Sequence, residues 1–407
     1  DLSSDRKMFR LLQGDVGSGK TIVALVCCLN VINSDFQASF MAPTEILAIQ
    51  HYELAKQLFG KNITVKLLTS KTDYSERKQI LNDLKNNKID LLVGTHSLFQ
   101  EKIIYRNLGL IVIDEQHKFG VKQRSELAKK GGSGCDLLLM SATPIPRTMM
   151  MSLYGDMDIS LIKEKPSMRK KIITLSKPEK KLNEVLNYLK KNINQKNQIF
   201  WICPLIEESK FLDYSSAKKR FDQIEKIFPN QVGLIHGGLE KQEKEKILKK
   251  FSEKKISILV STTVIEVGID FPNANVIVIE NANKFGLAQL HQLRGRVGRG
   301  NKQSTCILLF REGLSKNAIK RIKILKSSDD GFYIAEEDLK LRGFGDLTGY
   351  QQSGLKNYRF ADPVIHNDLF KLAEKFIFEI KNNINQTKYV FLLKLFDKAE
   401  IINVSDI

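Results

Sequence analysis

No run of eighteen consecutive apolar residues occurs in this 407-residue chain, so no membrane-spanning helix is expected. No basic segment followed by an apolar core opens it, so no secretory leader is expected. The five cysteines, Cys27, Cys28, Cys135, Cys203 and Cys306, are odd in number and lack CxxC spacing. That argues against a disulfide framework and against a zinc site. They read as small buried apolar residues in a reducing cytoplasm. Low-complexity segments are absent too. Acidic residues are in deficit: 46 Asp and Glu face 64 Lys and Arg, a net charge of +18. This balance suits a polyanionic partner, although lysine-rich solvated faces produce the same number. The length is too great for one ordinary core, so two or three domains are expected.

What is present is a rhythm. Strand-like runs fall at 9–12, 38–42, 64–69, 90–94, 108–113 and 137–141, with helical patterns such as 44–59 and 74–86 between them. Residues 155–171 break the rhythm and read as a crossing into a second lobe. There the strand signals are 172–175, 198–203, 231–236, 257–261, 276–280 and 304–310. Helical stretches 179–192, 213–227, 240–251 and 286–293 separate them. After Arg311 the pattern turns helical, at 314–327 and 332–342, then near 363–383 and 389–399. Near-continuous apolar strands alternating with helices predict parallel sheets covered on both faces, with ligands at their carboxyl ends.

Residues Gln13–Thr21, QGDVGSGKT, follow the first strand and precede an apolar helical stretch. Gly14-x-x-x-x-Gly19-Lys20-Thr21 has the spacing of a phosphate-binding loop. Glycines let backbone N–H groups of Gly14, Asp15, Val16, Gly17, Ser18 and Gly19 turn inward, and the helix presents its positive end. Lys20 supplies a point charge, and the Thr21 hydroxyl suits Mg2+. The strand LIVIDE ends in Asp114, placed for Mg2+, and Glu115, placed to polarise an attacking water. Ser141-Ala142-Thr143 ends another strand, where small hydroxyl residues can bond back to Asp114-Glu115. In the second lobe, Gln292-x-x-Gly295-Arg296-x-Gly298-Arg299 puts two guanidiniums three residues apart. They read as fingers stabilising charge on a transferred phosphate. A tract that grips phosphodiester backbone is the other reading.

These motifs in this order resemble a superfamily 2 helicase or translocase. GDVGSGKT, MAPTEILA, GTHSLFQ, DEQHKFGVKQR, MSATPIPRT, TTVIEVGIDFPNA, QLRGRVGRG and AEEDLKLRGFGDLTGYQQSG resemble the RecG family of DNA helicases more closely, from Phe9 to about Leu355. The resemblance implies an α/β chain of two tandem RecA-like parallel-sheet lobes, 1–157 and 158–312, plus a small mostly helical C-terminal segment, 313–407. It implies ATP and Mg2+ as cofactors, with Gly268 and Asp270 adding to the nucleotide side. Pro43, Thr44, Gly94, Thr95, His96, Thr262 and Thr263 would face DNA. His117, Ser141, Ala142 and Thr143 would couple the ATP site to those loops. The tract from about Glu336 to Gly354, with Arg342 and Gln352, resembles the family's translocation motif. The implied partner is branched or forked duplex DNA, bound by a monomer near the nucleoid and recruited by a single-stranded-DNA-binding protein.

Three positions depart from the family pattern: Ile49 for an acidic residue, Phe344 for proline, and Tyr350-Gln351 for a threonine and a basic residue. The family's fork-splitting wedge domain would precede Asp1, so the chain reads as a motor portion. The activity expected is ATP-driven translocation that remodels stalled forks and junctions. The translocase module of a transcription-repair coupling factor shares much of the pattern. An RNA helicase, or a non-catalytic ATP-bound scaffold that binds nucleic acid, also remains open on motifs alone.

Overall fold

A computed structural model describes residues 1–4, 7–100, 102–115, 134–142, 157–164, 170–204, 210–262, 271, 273–298, 300 and 302–346, with 366, 369, 372, 373, 376 and 390. The first lobe holds β1 (Phe9–Gly14), β2 (Gln37–Met41), β3 (Val65–Leu68), β4 (Leu91–Gly94), β5 (Leu108–Ile113), β6 (Asp136–Ser141) and β7 (Asp158–Ile162). They form one sheet in the order β3-β4-β2-β5-β6-β1-β7, every pair parallel. Helices α1 (Lys20–Ile32), α2 (Glu45–Phe59) and α3 (Tyr74–Lys85) connect successive strands. The central strands are buried along their whole length, as at β5, LGLIVI. A parallel strand covered on both faces needs such a continuous apolar run. Two apolar clusters, one around Phe40 and Leu25 and one around Leu68 and Leu84, fill the lobe's core.

Strand β7 lies where the rhythm was read as broken. It is an edge strand paired with β1, and Leu161 is 43% exposed. An edge strand buries less, so the unbroken apolar run that marks a central strand is missing. The first sheet therefore reaches Ile162, into residues expected to open the second lobe.

The second lobe holds β8 (Ile173–Pro178), β9 (Gln198–Ile202), β10 (Val232–Ile235), β11 (Ile258–Ser261), β12 (Ala274–Ile279) and β13 (Thr305–Phe310). Their order is β10-β11-β9-β12-β13-β8, again parallel throughout. Helices α4 (Leu182–Asn194), α5 (Lys210–Ile227), α6 (Lys241–Ser252) and α7 (Leu287–Arg294) accompany it. Helices α8 (Lys316–Ser327) and α9 (Gly331–Asp346) follow. α8 starts at Ser315, whose hydroxyl accepts the Ala318 N–H at 3.2 Å, an N-cap that satisfies one orphan donor. The C-terminal helices are not separate: Ile322, Leu325 and Ile334 join the second lobe's core beside Leu287 and Leu290.

The lobes touch. Ile46 of α2 packs against the second lobe's core. A Cβ on Gly295 would stand 3.2 Å from Cβ and Cγ2 of Val16, so the Val16 side chain of the phosphate loop packs closely against the arginine tract. Lys71 and Glu245 form an ion pair across the cleft. All five cysteines are free, and four are buried. Burial pushes the Cys135 and Cys306 thiols up to about 12, as befits packing rather than reactivity.

Candidate nucleotide and nucleic-acid site

Strand β1 delivers the loop to the carboxyl edge of the first sheet. Gly19 caps α1 with φ 95°, a left-handed conformation that costs a non-glycine residue, and Gly17 has φ 75°. A Cβ at Gly14 would stand 2.4 Å from Ser18 Oγ and 3.1 Å from Ile162 Cβ, so a larger residue there would displace the Ser18 hydroxyl. The Lys20 ammonium donates to the carbonyls of Gly14 at 2.8 Å and Asp15 at 2.9 Å, and the side chain is buried. Ser18 Oγ is buried with no protein partner. A buried hydroxyl costs free energy unless something bonds it. The loop therefore fits a phosphate: left-handed turns that form an anion-binding nest, a buried cation and an unused hydroxyl.

Strand β5 delivers Asp114 and Glu115 two strands away. The Asp114 N–H donates to Met41 O at 2.8 Å, and Asp114 Oδ1 accepts the Glu115 N–H at 2.9 Å. Glu115 has φ 49°, a left-handed conformation that is strained for a residue with a Cβ and recurs at functional sites. Both carboxylates are buried. The Glu115 carboxyl is held above its ordinary range, first by burial and then by Asp114. Lys20, the Ala142 N–H and Arg296 oppose that rise. Ala142 donates to Glu115 Oε2 at 3.4 Å, which places the predicted Ser141-Ala142 strand end against the acidic pair. The electrostatic reach of Arg296 brings the second lobe to the same carboxylate. Arg296 is buried and Gln292 half-buried.

Hydroxyl and carboxylate oxygens suit Mg2+, which typically takes one or two protein oxygens plus phosphate and water. Thr21, half-buried at the second position of α1, and Asp114 match that donor set. No cluster of three or more His, Cys, Asp or Glu that could hold a metal occurs among the described residues. A two-oxygen site of this kind would form no such cluster.

The expected nucleic-acid loops divide. Thr95 lies in a polar groove with Ser70, Arg77, Ser97, Gln100 and Lys102, at the carboxyl ends of β3 and β4. Pro43 and Thr44 are half-buried at the end of β2. Thr44 also caps α2, accepting the Leu47 N–H at 3.3 Å. Gly94 answers to packing: a Cβ there would stand 2.4 Å from Leu68 O. Thr262 departs from its expected place on the surface. It is fully buried, because it directly follows β11 and continues that strand's pairing with β10, where its N–H donates to Ile235 O. His117, Thr143, Thr263, Gly268, Asp270, Arg299 and Gln352 lie outside the described residues, as do the side chains of His96 and Arg342. Ile49 is exposed on α2, where exchange of an acidic residue for an apolar one disturbs no packing.

Two histidines that no motif named stand in the site. His51 Nε2 is 2.9 Å from Asp114 Oδ2, and its ring lies 4.7 Å from that of Phe40. His291 Nε2 is 2.8 Å from Asp15 Oδ1. Each lies in the buried stripe of its helix, beside Leu47, Ala48 and Ala55 or beside Leu287 and Leu290. A titratable residue at a core position of an amphipathic helix was the available signal.

Three family models match the chain: DEAD/DEAH box helicase over residues 2–152, helicase conserved C-terminal domain over 179–301, and ATP-dependent DNA helicase RecG, domain 3, C-terminal, over 328–391. The ATP-dependent DNA helicase RecG of Thermotoga maritima is 48% identical over 377 residues, covering 92% of this chain and 48% of that protein. The chain is RecG-like, similar to superfamily 2 helicases over both lobes and the segment that follows them. The Bacillus subtilis RecG is 47% identical over 367 residues, 89% of this chain and 54% of that protein. A solved structure of RecG bound to a three-way DNA junction superposes with a TM-score of 0.76 at 44% identity, covering 91% of this chain and 48% of that one. The tandem RecA-like arrangement is thereby shown. S. cerevisiae Dbp5 bound to RNA, at 19% identity and TM-score 0.59, shares the fold alone. The chain spans about half the length of its RecG relatives. Among the described residues, no helix is long and apolar enough to cross a membrane.

Proposed function

We propose that the chain is the ATP-driven motor of a DNA helicase that translocates on branched or forked duplex DNA and remodels it. One observation carries the reading: buried Glu115 lies under the influence of Lys20 from its own lobe and of Arg296 from the other. A hydrolytic site split in this way turns over only when the lobes meet, which is how hydrolysis can report movement.

In this reading the loop from Gly14 to Gly19 binds the phosphates of ATP with its N–H groups, and Lys20 leaves its loop carbonyls for the outer phosphates. Thr21 and Asp114 would hold Mg2+, which would neutralise charge on the phosphate oxygens. Glu115 orients the attacking water and accepts its proton; its raised pKa makes it a stronger base than an exposed carboxylate. Arg296 adds positive charge where negative charge grows. Arg299 is assigned the same task, and Gln292 the orientation of the reacting groups. Ser141 and Ala142, with His117 and Thr143, relay the state of Glu115 to the loops that face DNA. The groove holding Thr95, Arg77 and Lys102 would take phosphodiester backbone, in keeping with the net charge of +18. The RecG relative solved on a three-way junction supports branched DNA as substrate.

The test compares ATP hydrolysis by the full chain with forked duplex, single-stranded DNA and RNA. Forked duplex should stimulate most. Equal stimulation by RNA would replace DNA as the track, and no stimulation by any nucleic acid would leave a binding scaffold.

A further inference from the structure

His291 spans the cleft and touches two working parts of the molecule at once. It is 5% exposed. Its Nε2 lies 2.8 Å from Asp15 Oδ1 in the phosphate loop, and its Nδ1 lies 3.0 Å from Arg294 Nη2. A guanidinium has donors only, so Nδ1 accepts. Nε2 therefore carries the ring proton and donates it to the Asp15 carboxylate; the partners assign this tautomer. Asp15 Oδ1 also accepts the Val16 N–H at 2.8 Å, so the same oxygen that holds His291 shapes the loop.

On the other side, Arg294 is 3% exposed, and its Nη1 donates to Leu325 O at 2.5 Å and to Ser328 O at 2.8 Å. Those carbonyls end α8 and begin the turn into α9. The chain of bonds thus runs from the phosphate loop, through His291 and Arg294, to the base of the helix that leads into the family's translocation tract. Of the bonds named in this chain, the one to Asp15 crosses from one lobe to the other. Parting of the lobes would break it and leave the Arg294 bonds, which lie within one lobe. Gly295 abuts Val16 beside it, so the approach that makes this bond is close and sterically defined.

We infer that His291 is a positioning residue that couples closure of the lobes to the shape of the phosphate loop and to the seat of α8 and α9. The inference rests on the motor reading above for its consequence, and on the hydrogen bonds alone for its existence. The ring is a two-faced connector: one nitrogen must donate and the other accept. Glutamine can reproduce both roles, with its amide N–H toward Asp15 and its carbonyl toward Arg294. Leucine fills similar space and reproduces neither.

The experiment uses the full chain with His291→Leu, His291→Gln and Asp15→Ala. The ratio of DNA-stimulated to DNA-free turnover should fall about tenfold in His291→Leu, the scale of one lost hydrogen bond to a charged group. His291→Gln should keep at least half of the wild-type ratio. Hydrogen exchange is read in the same proteins. His291→Leu should speed exchange at 14–16 and at 325–331 together. Asp15→Ala should speed it at 325–331, the far end of the chain of bonds. An unchanged ratio in His291→Leu, equal losses in the leucine and glutamine variants, or exchange changes confined to 287–294 would overturn the inference. If His291→Leu fails to fold, Asp15→Ala decides by its effect at 325–331. If wild-type chain shows no stimulation by DNA, the motor reading fails, and the exchange measurement still decides this one.

Discussion

Gln37 and Gln198 hold the same place in the two lobes. Each opens a central strand, β2 or β9, and is buried. The Gln37 amide donates to Leu84 O at 2.9 Å and Ile89 O at 2.8 Å, pinning the end of α3 and the turn after it. The Gln198 amide donates to Phe251 O at 2.5 Å and Ile256 O at 3.3 Å, pinning the end of α6 in the same way. At their amino edges the sheets are therefore built alike. At the carboxyl edges they part. β5 runs into Asp114-Glu115, and β12 runs into Glu280 after an equally apolar strand. Glu280 accepts from Arg220 Nε at 2.8 Å, Arg220 Nη2 at 2.7 Å and Trp201 Nε1 at 2.9 Å. The Arg220 guanidinium also lies over the Trp201 ring, 5.5 Å from its centroid. At Glu115 the carboxyl is raised by burial and Asp114, and the charges that oppose the rise are Lys20 of its own lobe and Arg296 of the other. A carboxylate neutralised within its own lobe is scaffold. One whose balancing charge comes partly from the opposite lobe is, under the function proposed above, the group that would act on closure.

The comparison breaks most visibly at Arg296. Arg296→Ala should lower kcat about 10³-fold while the KM for ATP changes far less, because the charge acts on the transition state. Steady-state kinetics with saturating DNA measure this; matched losses in kcat and affinity would make Arg296 an ordinary binding residue. Next in size is Arg220→Leu. It leaves Glu280 buried and unpaired, and should cost about 3–5 kcal/mol in a denaturant melt, with kcat at permissive temperature unchanged. A cost under about 1 kcal/mol would mean that Glu280 is balanced without its arginine, and the contrast would dissolve.

The smallest effect is on pH. Glu115 is raised above an ordinary 4.5 in the folded chain, so its ionisation costs stability. Below that value the carboxyl is neutral both folded and unfolded, and Glu115→Gln should change little. As pH rises past 4.5 the unfolded chain ionises first, and the wild type loses stability until the folded carboxyl also ionises. Glu115→Gln should therefore gain stability over the wild type at pH 8 relative to pH 4, read by thermal melts in Mg2+-free buffer. A constant difference across that range would place Glu115 in a solvated setting like any surface carboxylate.

The strands, the loop at Gly14–Thr21 and the acidic pair were legible because each is local: a few adjacent residues with a required spacing. β7 was not, since an edge strand carries half the apolar signal. Thr262 resembled a surface residue by motif, but burial depends on what covers it, and a motif does not carry that. The pairings that organise the site were illegible for a plainer reason. His51 and Asp114 are 63 residues apart, Arg220 and Glu280 are 60, and Asp15 and His291 are 276. No periodicity reports which of many polar side chains will meet over such separations.

The sequence by itself determined that the chain would bind a nucleotide phosphate, that two parallel sheets would carry the motifs at their carboxyl ends, and that carboxylates and arginines would be divided between them. Those properties follow from backbone geometry and apolar periodicity, which neighbouring residues set. The tertiary structure alone decided which carboxylate is paired by an arginine of its own lobe and which lies near charges from both, and that a histidine bonds the phosphate loop across the cleft. Burial removes the competing water, and only then does the identity of a distant partner fix what a charged side chain can do.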